Sequence, residues 1–301
     1  MIFIFSNRNI INNNTWLGDD FNEQGNENMR IAKYVGGINA RLNFYEENQA
    51  QTLPSEQVIH ALEQSDKPCC IFIHGYNQSL QKNIDKCKEI ESFGVNVVAF
   101  SWPSNPGPAG WVWKLKEYKR ARQNATRSSV ALERFFDKFN DHVLSSGQIS
   151  NIQSLVVHSL GNYLFQSFVG GVGFAGQTAF LKNILLHQAD VDSLNHEHWA
   201  DKLIPYSRVM ATINETDDVL DVSDIINPDR LGNTLQNLNS AGISYFNFGQ
   251  LNDADDQHRL WIAPVIDNLN AKLFFTEIFN AKNVKTGHFN YDSGRNCYHV
   301  K

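Results

Sequence analysis

The sequence predicts an α/β fold, with a mostly parallel central sheet flanked by helices. Three observations carry that expectation. Short unbroken apolar runs recur at 69–73 (CCIFI), 95–100 (VNVVAF), 154–157 (SLVV), 184–186 (ILL), 208–213 (RVMATI) and 243–248 (ISYFNF). Runs of this kind suit strands covered on both faces. Helix-like stretches alternate with them, the order expected of strand–helix–strand units. Finally, 301 residues with 42% hydrophobic content supply a sizeable core without disulfides or metals.

The elements follow in order. MIFIFSNRN has an apolar run too short for a signal-peptide core and no small-residue cleavage site after it, so it reads as a first strand. Up to about residue 60 the chain looks like strands and turns rich in Asn and Gly, an extension to one domain spanning 1–301. Residues 78–92 are amphipathic, and 114–139 place Leu115, Tyr118, Ala121, Ala125, Leu132, Phe135, Phe136 and Phe139 near helical spacing. The opposite face of that second helix carries Lys114, Lys116, Lys119, Arg120, Arg122 and Arg127. It reads as a solvated face, or else as a contact with nucleic acid or anionic lipid. The stretch 164–181 holds Gln, Ser, Thr and several glycines, which makes it a buried helix running into a loop and a poor membrane span. No repeat or low-complexity tract divides the chain.

Composition narrows the function. A net charge of −6 leaves no electrostatic footprint for nucleic acid as a partner. Cys69, Cys70, Cys87 and Cys297 do not make a disulfide framework, and adjacent Cys69 and Cys70 are ill placed to bridge each other. Reduced thiols point to a cytoplasmic home.

The chemistry concentrates in VVHSLGN, 156–162. An apolar strand ends at Val157, and His158-Ser159-Leu160-Gly161 turns the chain into a helix. This order resembles the G-x-S-x-G nucleophile elbow, in which a strained strand-to-helix turn presents a serine hydroxyl above the sheet. Gly161 supplies the small neighbour on the helix side, whereas Val157 replaces the first glycine and crowds the turn. The plain alternative is that Ser159 caps a helix.

A second strand end, IFIHGYN at 71–77, adds to this. Acyl transfer builds negative charge on the former carbonyl oxygen, which needs fixed N–H donors. The Leu160 amide follows the nucleophile, and the Tyr76 amide lies in the loop after an earlier strand, where Gly75 allows close backbone approach. The triad order of such folds is Ser, then Asp or Glu, then His. After the strand 208–213 comes NETDDVL, and Asp217 is the expected acid. Asp218 and Asp190 (in HQADVDS) are alternatives, each of which also reads as a cap or turn aspartate. Downstream histidines are His258, His288 and His299. His288 sits in KTGHFNY beside a turn-permitting glycine and is the expected general base. His258 lies among carboxylates and reads as a surface charge cluster, and His299 reads as a fraying terminus.

Taken together, the chain resembles the α/β-hydrolases, specifically the bacterial branch known as hydrolases of unknown function. The resemblance rests on SNR near the start, HGYN at 74–77, FSWPS at 100–104, HSLGN at 158–162, Asp-x-x-Leu at 217–220, RLG at 230–232 and GH at 287–288, in that family's order. It implies Ser159 as nucleophile, Asp217 as acid, His288 as base and the amides of Tyr76 and Leu160 as oxyanion hole. The departures are Val157 and an insertion-like stretch around 249–283. The expected activity is a serine hydrolase cleaving a carboxylic ester, esterase- or lipase-like, through an acyl-enzyme and with no cofactor. Its substrate would be a small-molecule or lipid ester. Thioesterase or amidase chemistry, and a non-catalytic binding module on the same scaffold, are the alternatives.

Two further features have two readings each. Trp102, Trp111 and Trp113 with Pro103, Pro106 and Pro108 mark a stretch at about 102–118, which reads equally as a lid over the site or as a packed surface loop. His196-Glu197-His198 invites a metal, but an i, i+2 pair on a helix points to different faces and the H-E-x-x-H spacing is missing, so no metal site is expected.

Overall fold

The computed structural model describes residues 1–22, 28–46, 52–104, 111–146, 151–220 and 228–301. The chain begins with β1 (Ile2–Ser6), β2 (Arg8–Ile11), β3 (Trp16–Phe21), β4 (Arg30–Val35) and β5 (Arg41–Phe44). It continues through α1 (Pro54–Glu63), β6 (Cys69–Ile73), α2 (Leu80–Glu91), β7 (Asn96–Ser101) and α3 (Trp111–Ser146). Then come β8 (Ile152–His158), α4 (Gly161–Val169), β9 (Asn183–His187), α5 (Glu197–Ala200), β10 (Arg208–Ile213) and β11 (Ile243–Asn247). Helix α6 (Leu269–Phe279) and strands β12 (Asn290–Asp292) and β13 (Cys297–His299) end it.

Among the described residues the main sheet has 11 strands in the order β12-β13-β11-β10-β9-β8-β6-β7-β1-β4-β5. From β13 to β1 every neighbouring pair is parallel, and the antiparallel pairs, β12–β13, β1–β4 and β4–β5, lie at the two edges. The mostly parallel α/β sheet expected from the apolar runs is therefore present. The Asn-rich N-terminal region contributes β1 to the parallel body and β4–β5 to one edge, while β2 and β3 form a separate hairpin.

Alternation along each strand divides the core in two. One face gathers Phe3, Phe5, Ile71, Ile73, Val98, Phe100, Leu155 and Val157 under α1, α3 and α4. The other gathers Ile4, Phe72, Val97, Ala99, Val156, Leu185 and Phe246 under α2 and α6. Phe135, Phe136 and Phe139 of α3 are all fully buried, and each such ring contributes roughly 1.5–3 kcal/mol by leaving water.

Helix starts are set locally. Pro54 opens α1, with Glu56 accepting from the Leu53 amide at 2.9 Å. Asn268 accepts from the amides of Asn270 and Ala271 at the start of α6. Part of the basic face of α3 is used in packing. The Arg122 guanidinium lies 4.3 Å from the Tyr163 ring centroid and that of Arg127 4.1 Å from Phe21. All four cysteines are free and buried. No described helix is long and apolar enough to cross a membrane.

Candidate active site

The strand order changes direction at β6. The chain runs from β6 to β7 on one side, then returns past β6 to β8 on the other. In open α/β sheets ligands bind beyond the carboxyl ends of the strands at such a switch point, here the ends of β6 and β8. His74-Gly75-Tyr76 leaves one of these strand ends and Ser159 the other.

Ser159 has φ +55°, a left-handed conformation that costs a residue with a Cβ about 1–2 kcal/mol. The surroundings hold it there. Its N–H donates to the His187 carbonyl at 3.0 Å, and its own carbonyl accepts from the amides of Asn162 and Asp190 at 2.9 and 3.3 Å. The buried Asn162 side chain donates to the carbonyls of Val157 (2.9 Å) and Ser159 (3.0 Å), bracing the turn from below. Two glycines let the neighbouring segments close on it. A Cβ on Gly161 would lie 2.6 Å from the His74 carbonyl oxygen, and one on Gly75 would lie 2.6 Å from Ser159 Cβ. Val157 is wholly buried in the core while the positive φ at Ser159 is kept. The residue at the helix cap is Leu160, without a side-chain bond, so Ser159 is not acting as a capping serine.

Asp217, in the loop after β10, is fully buried and fully bonded. One oxygen accepts the amides of Val219 and Leu220, at 3.0 and 3.2 Å. The other accepts Gln188 Nε2 at 2.8 Å and His258 Nδ1 at 2.7 Å. A carboxylate acceptor requires the proton on Nδ1, which leaves Nε2 of the neutral ring with its lone pair.

The imidazole that meets Asp217 is thus His258, in the loop after β11, and not His288. His288 is exposed in a short turn (Thr286–His288) ahead of β12 and makes no hydrogen bond with Ser159 or Asp217. Nor is His258 a surface charge, since only 16% of its side chain is exposed. The stretch read as an insertion carries both this histidine and α6. His299 does not fray: it pairs in β13 and lies near Asp292 and Asn247.

The loop carrying His258 is fastened to the ends of three adjacent strands. Asn214 Nδ2 donates to the carbonyls of Ala254 (2.7 Å) and Gln257 (3.0 Å). His158 Nε2 donates to the His258 carbonyl at 3.0 Å. The Leu260 amide donates to His187 Nε2 at 3.4 Å, so His187 Nδ1 carries the proton shared with Thr212 Oγ1 at 2.8 Å. Glu89 on α2 receives Arg259 at 2.7 Å and Trp261 Nε1 at 3.0 Å. Burial, then the neighbouring His258, push His158 and His187 well below the ordinary histidine range, so both are neutral fixtures. Sequence reasoning gave no role of their own to Asn162, His158, His187, Gln188 and Asn214. His158 and Asn162 lie within the HSLGN string, and His187, Gln188 and Asn214 stand just beyond the ends of predicted strands.

The amides of Tyr76 and Leu160 have no acceptor among the described residues. His74 is structural. Its Nδ1 donates to the Gly75 carbonyl at 3.0 Å, its Nε2 accepts the Trp102 amide at 3.0 Å, and its ring stacks on Trp102 at 5.5 Å. Trp102 is wholly buried and its indole N–H donates to the His74 carbonyl at 2.9 Å. It therefore belongs to the core and covers no entrance. Residues 105–110 of the 102–118 stretch, and the side chains of Trp111 and Trp113, lie outside the described residues.

The alternative acids are placed elsewhere. Asp218 is exposed. Asp190 is buried and receives the Tyr118 hydroxyl at 2.9 and 3.0 Å, with Arg230 at 3.9 Å. His196 bonds the Ser193 carbonyl and the Tyr245 hydroxyl, and no metal-binding group of His, Cys, Asp or Glu occurs among the described residues.

No curated protein and no solved structure matches the chain significantly. A family model does: "Alpha/beta hydrolase of unknown function (DUF900)" matches residues 50–260, which include the strands and loops carrying His74, Ser159, Asp217 and His258. With the match spanning more than half of the sequence, the chain belongs to this family of α/β-hydrolases.

Proposed function

We propose that the protein is a serine hydrolase that cleaves a carboxylic ester, with Ser159 as nucleophile, His258 as general base and Asp217 as the acid that orients it. The observation that carries this reading is the 2.7 Å bond from His258 Nδ1 to a buried, fully bonded Asp217, at the sheet edge that also holds the Ser159 turn. The bond fixes the tautomer in which Nε2 takes up a proton.

Ser159 attacks the ester carbonyl as its proton passes to His258 Nε2. Asp217 stabilises the imidazolium without taking its proton. The tetrahedral oxyanion is held by the amides of Tyr76 and Leu160, which have no competing acceptor among the described residues. His258 then protonates the leaving alcohol, and water repeats the cycle on the acyl-enzyme. No hydrogen bond joins Ser159 Oγ to His258 in the free protein; such contacts commonly tighten only when substrate is bound.

A panel of p-nitrophenyl esters of increasing acyl length tests the activity. Turnover that is lost in Ser159→Ala supports the reading. Well-folded wild-type protein that is inert to the whole panel supports a binding module on the hydrolase scaffold instead.

A further inference from the structure

The SNR string at the start of the chain takes no part in the proposed mechanism, yet its arginine lies directly behind the Tyr76 loop. Arg8 is fully buried. One terminal nitrogen donates to the Gln78 carbonyl at 2.6 Å, and the other to the Gly18 carbonyl at 3.1 Å and to Asp19 at 2.8 Å. Gln78 in turn reaches back, its Nε2 donating to the Tyr76 carbonyl at 2.9 Å. The Gln78 side-chain oxygen accepts the nearly buried Lys86 at 2.6 Å. On the outer side, Ser104 receives the Asn77 amide through its carbonyl (2.9 Å) and the Gln78 amide through its hydroxyl (3.2 Å).

We propose that Arg8 is a positioning residue for acyl transfer: acting through Gln78, its guanidinium fixes the loop that aims the Tyr76 amide at the oxyanion. The inference rests on the hydrolase reading above. Packing alone is poorly served by a guanidinium here. Its Nε is buried with no acceptor among the described residues, and Asp19, the carboxylate it meets, is 41% exposed. Buried charge is expensive unless its bonds do something a hydrocarbon cannot. Here the planar fork spans two carbonyls from separate segments, the β2–β3 hairpin and the Tyr76 loop. The other two residues of the string lead elsewhere. Ser6 Oγ donates to the Ser101 carbonyl at 2.6 Å, and Asn7 Nδ2 to Ser128 on α3 at 3.0 Å. Burial, and after it the Arg8 charge, hold His74 at the start of this loop well below its ordinary range.

The test compares wild type with Arg8→Gln, Arg8→Lys, Gln78→Ala and Asn7→Ala, using p-nitrophenyl acetate turnover and the rate of Ser159 labelling by a fluorophosphonate. Arg8→Gln is expected to lower kcat by about 10- to 100-fold with little change in KM, because a small misalignment of a reacting group costs on this scale. Labelling should slow in parallel, and Arg8→Lys should recover part of the loss. Asn7→Ala should melt earlier and keep wild-type kcat. Folded Arg8→Gln with kcat and labelling within two-fold (~2) of wild type overturns the proposal. If Arg8→Gln does not fold, Gln78→Ala decides, since the same loss of kcat is expected and wild-type kcat overturns it. Wild-type protein unlabelled at Ser159 overturns the hydrolase reading and this one with it, whereas equal labelling of wild type and variant overturns this one alone.

Discussion

His158 donates its Nε2 hydrogen to the main-chain carbonyl of His258 at 3.0 Å, so the residue before Ser159 fastens the backbone of the histidine that meets Asp217. The rings also meet edge to face, 4.8 Å between centroids. His158→Phe keeps an aromatic ring and removes the donor, while His158→Gln keeps a donor at similar reach. We expect kcat for p-nitrophenyl acetate to fall about tenfold or more in the Phe variant, with the Gln variant in between, because the base loses an anchor. Equal kcat in both variants contradicts this role.

The assignment of the base has a sharper comparison. His258→Ala is expected to lose at least ~10³-fold in kcat, and Asp217→Asn about 10⁴-fold, as when a triad base or its orienting acid is removed. His288→Ala should stay near wild type, because that ring is exposed and has no bond to Asp217 or Ser159. The reverse pattern returns the base to His288.

Gly161→Ala tests the fit between the elbow and the His74 loop. The added Cβ lands 2.6 Å from one backbone carbonyl oxygen and 3.0 Å from the next, neither of which belongs to a flexible side chain. A loss of roughly 1–3 kcal/mol, the usual scale of overpacking, is expected in chemical denaturation. Wild-type stability in this variant shows that the two segments are looser than described.

Three buried histidines give the stability a predictable slope with pH. Burial is the largest influence holding His74, His158 and His187 well below the ordinary value of 6.5. As pH falls through about 6.5, the unfolded chain takes up protons at these sites and the folded chain does not. The unfolded state therefore gains, and stability falls by up to about 1.4 kcal/mol per pH unit for each such histidine. Melting temperature should drop between about pH 6.5 and 5, above the range of ordinary carboxylates. The drop should be shallower in His158→Gln, and an unchanged melting temperature across that window counts against neutral burial of these rings.

Much of the architecture was legible because it is local. The apolar runs at 69–73, 154–157 and 208–213 became β6, β8 and β10, and the turn after Val157 falls at a strand end marked by polar and small residues. Asp217 follows β10 for the same reason. The histidine was not legible locally. His258 and Asp217 are separated by 41 residues, and the carboxylates near His258 made its segment resemble solvated surface. A signal was nonetheless present. The run at 243–248 was recognisable as a strand, and β11 lies beside β10, so the loop leaving it returns to the edge where Asp217 waits. Trp102 read equally as lid or as packed loop, because the local sequence does not show that its indole nitrogen meets a buried carbonyl at His74.

The most direct measurement is mass-spectrometric mapping of the fluorophosphonate adduct on the folded wild-type protein, in parallel with His258→Ala. A single adduct on Ser159, in the peptide containing HSLGN, that forms far more slowly without His258 is the predicted result. An adduct on another residue, or labelling of Ser159 at an undiminished rate in His258→Ala, contradicts the account.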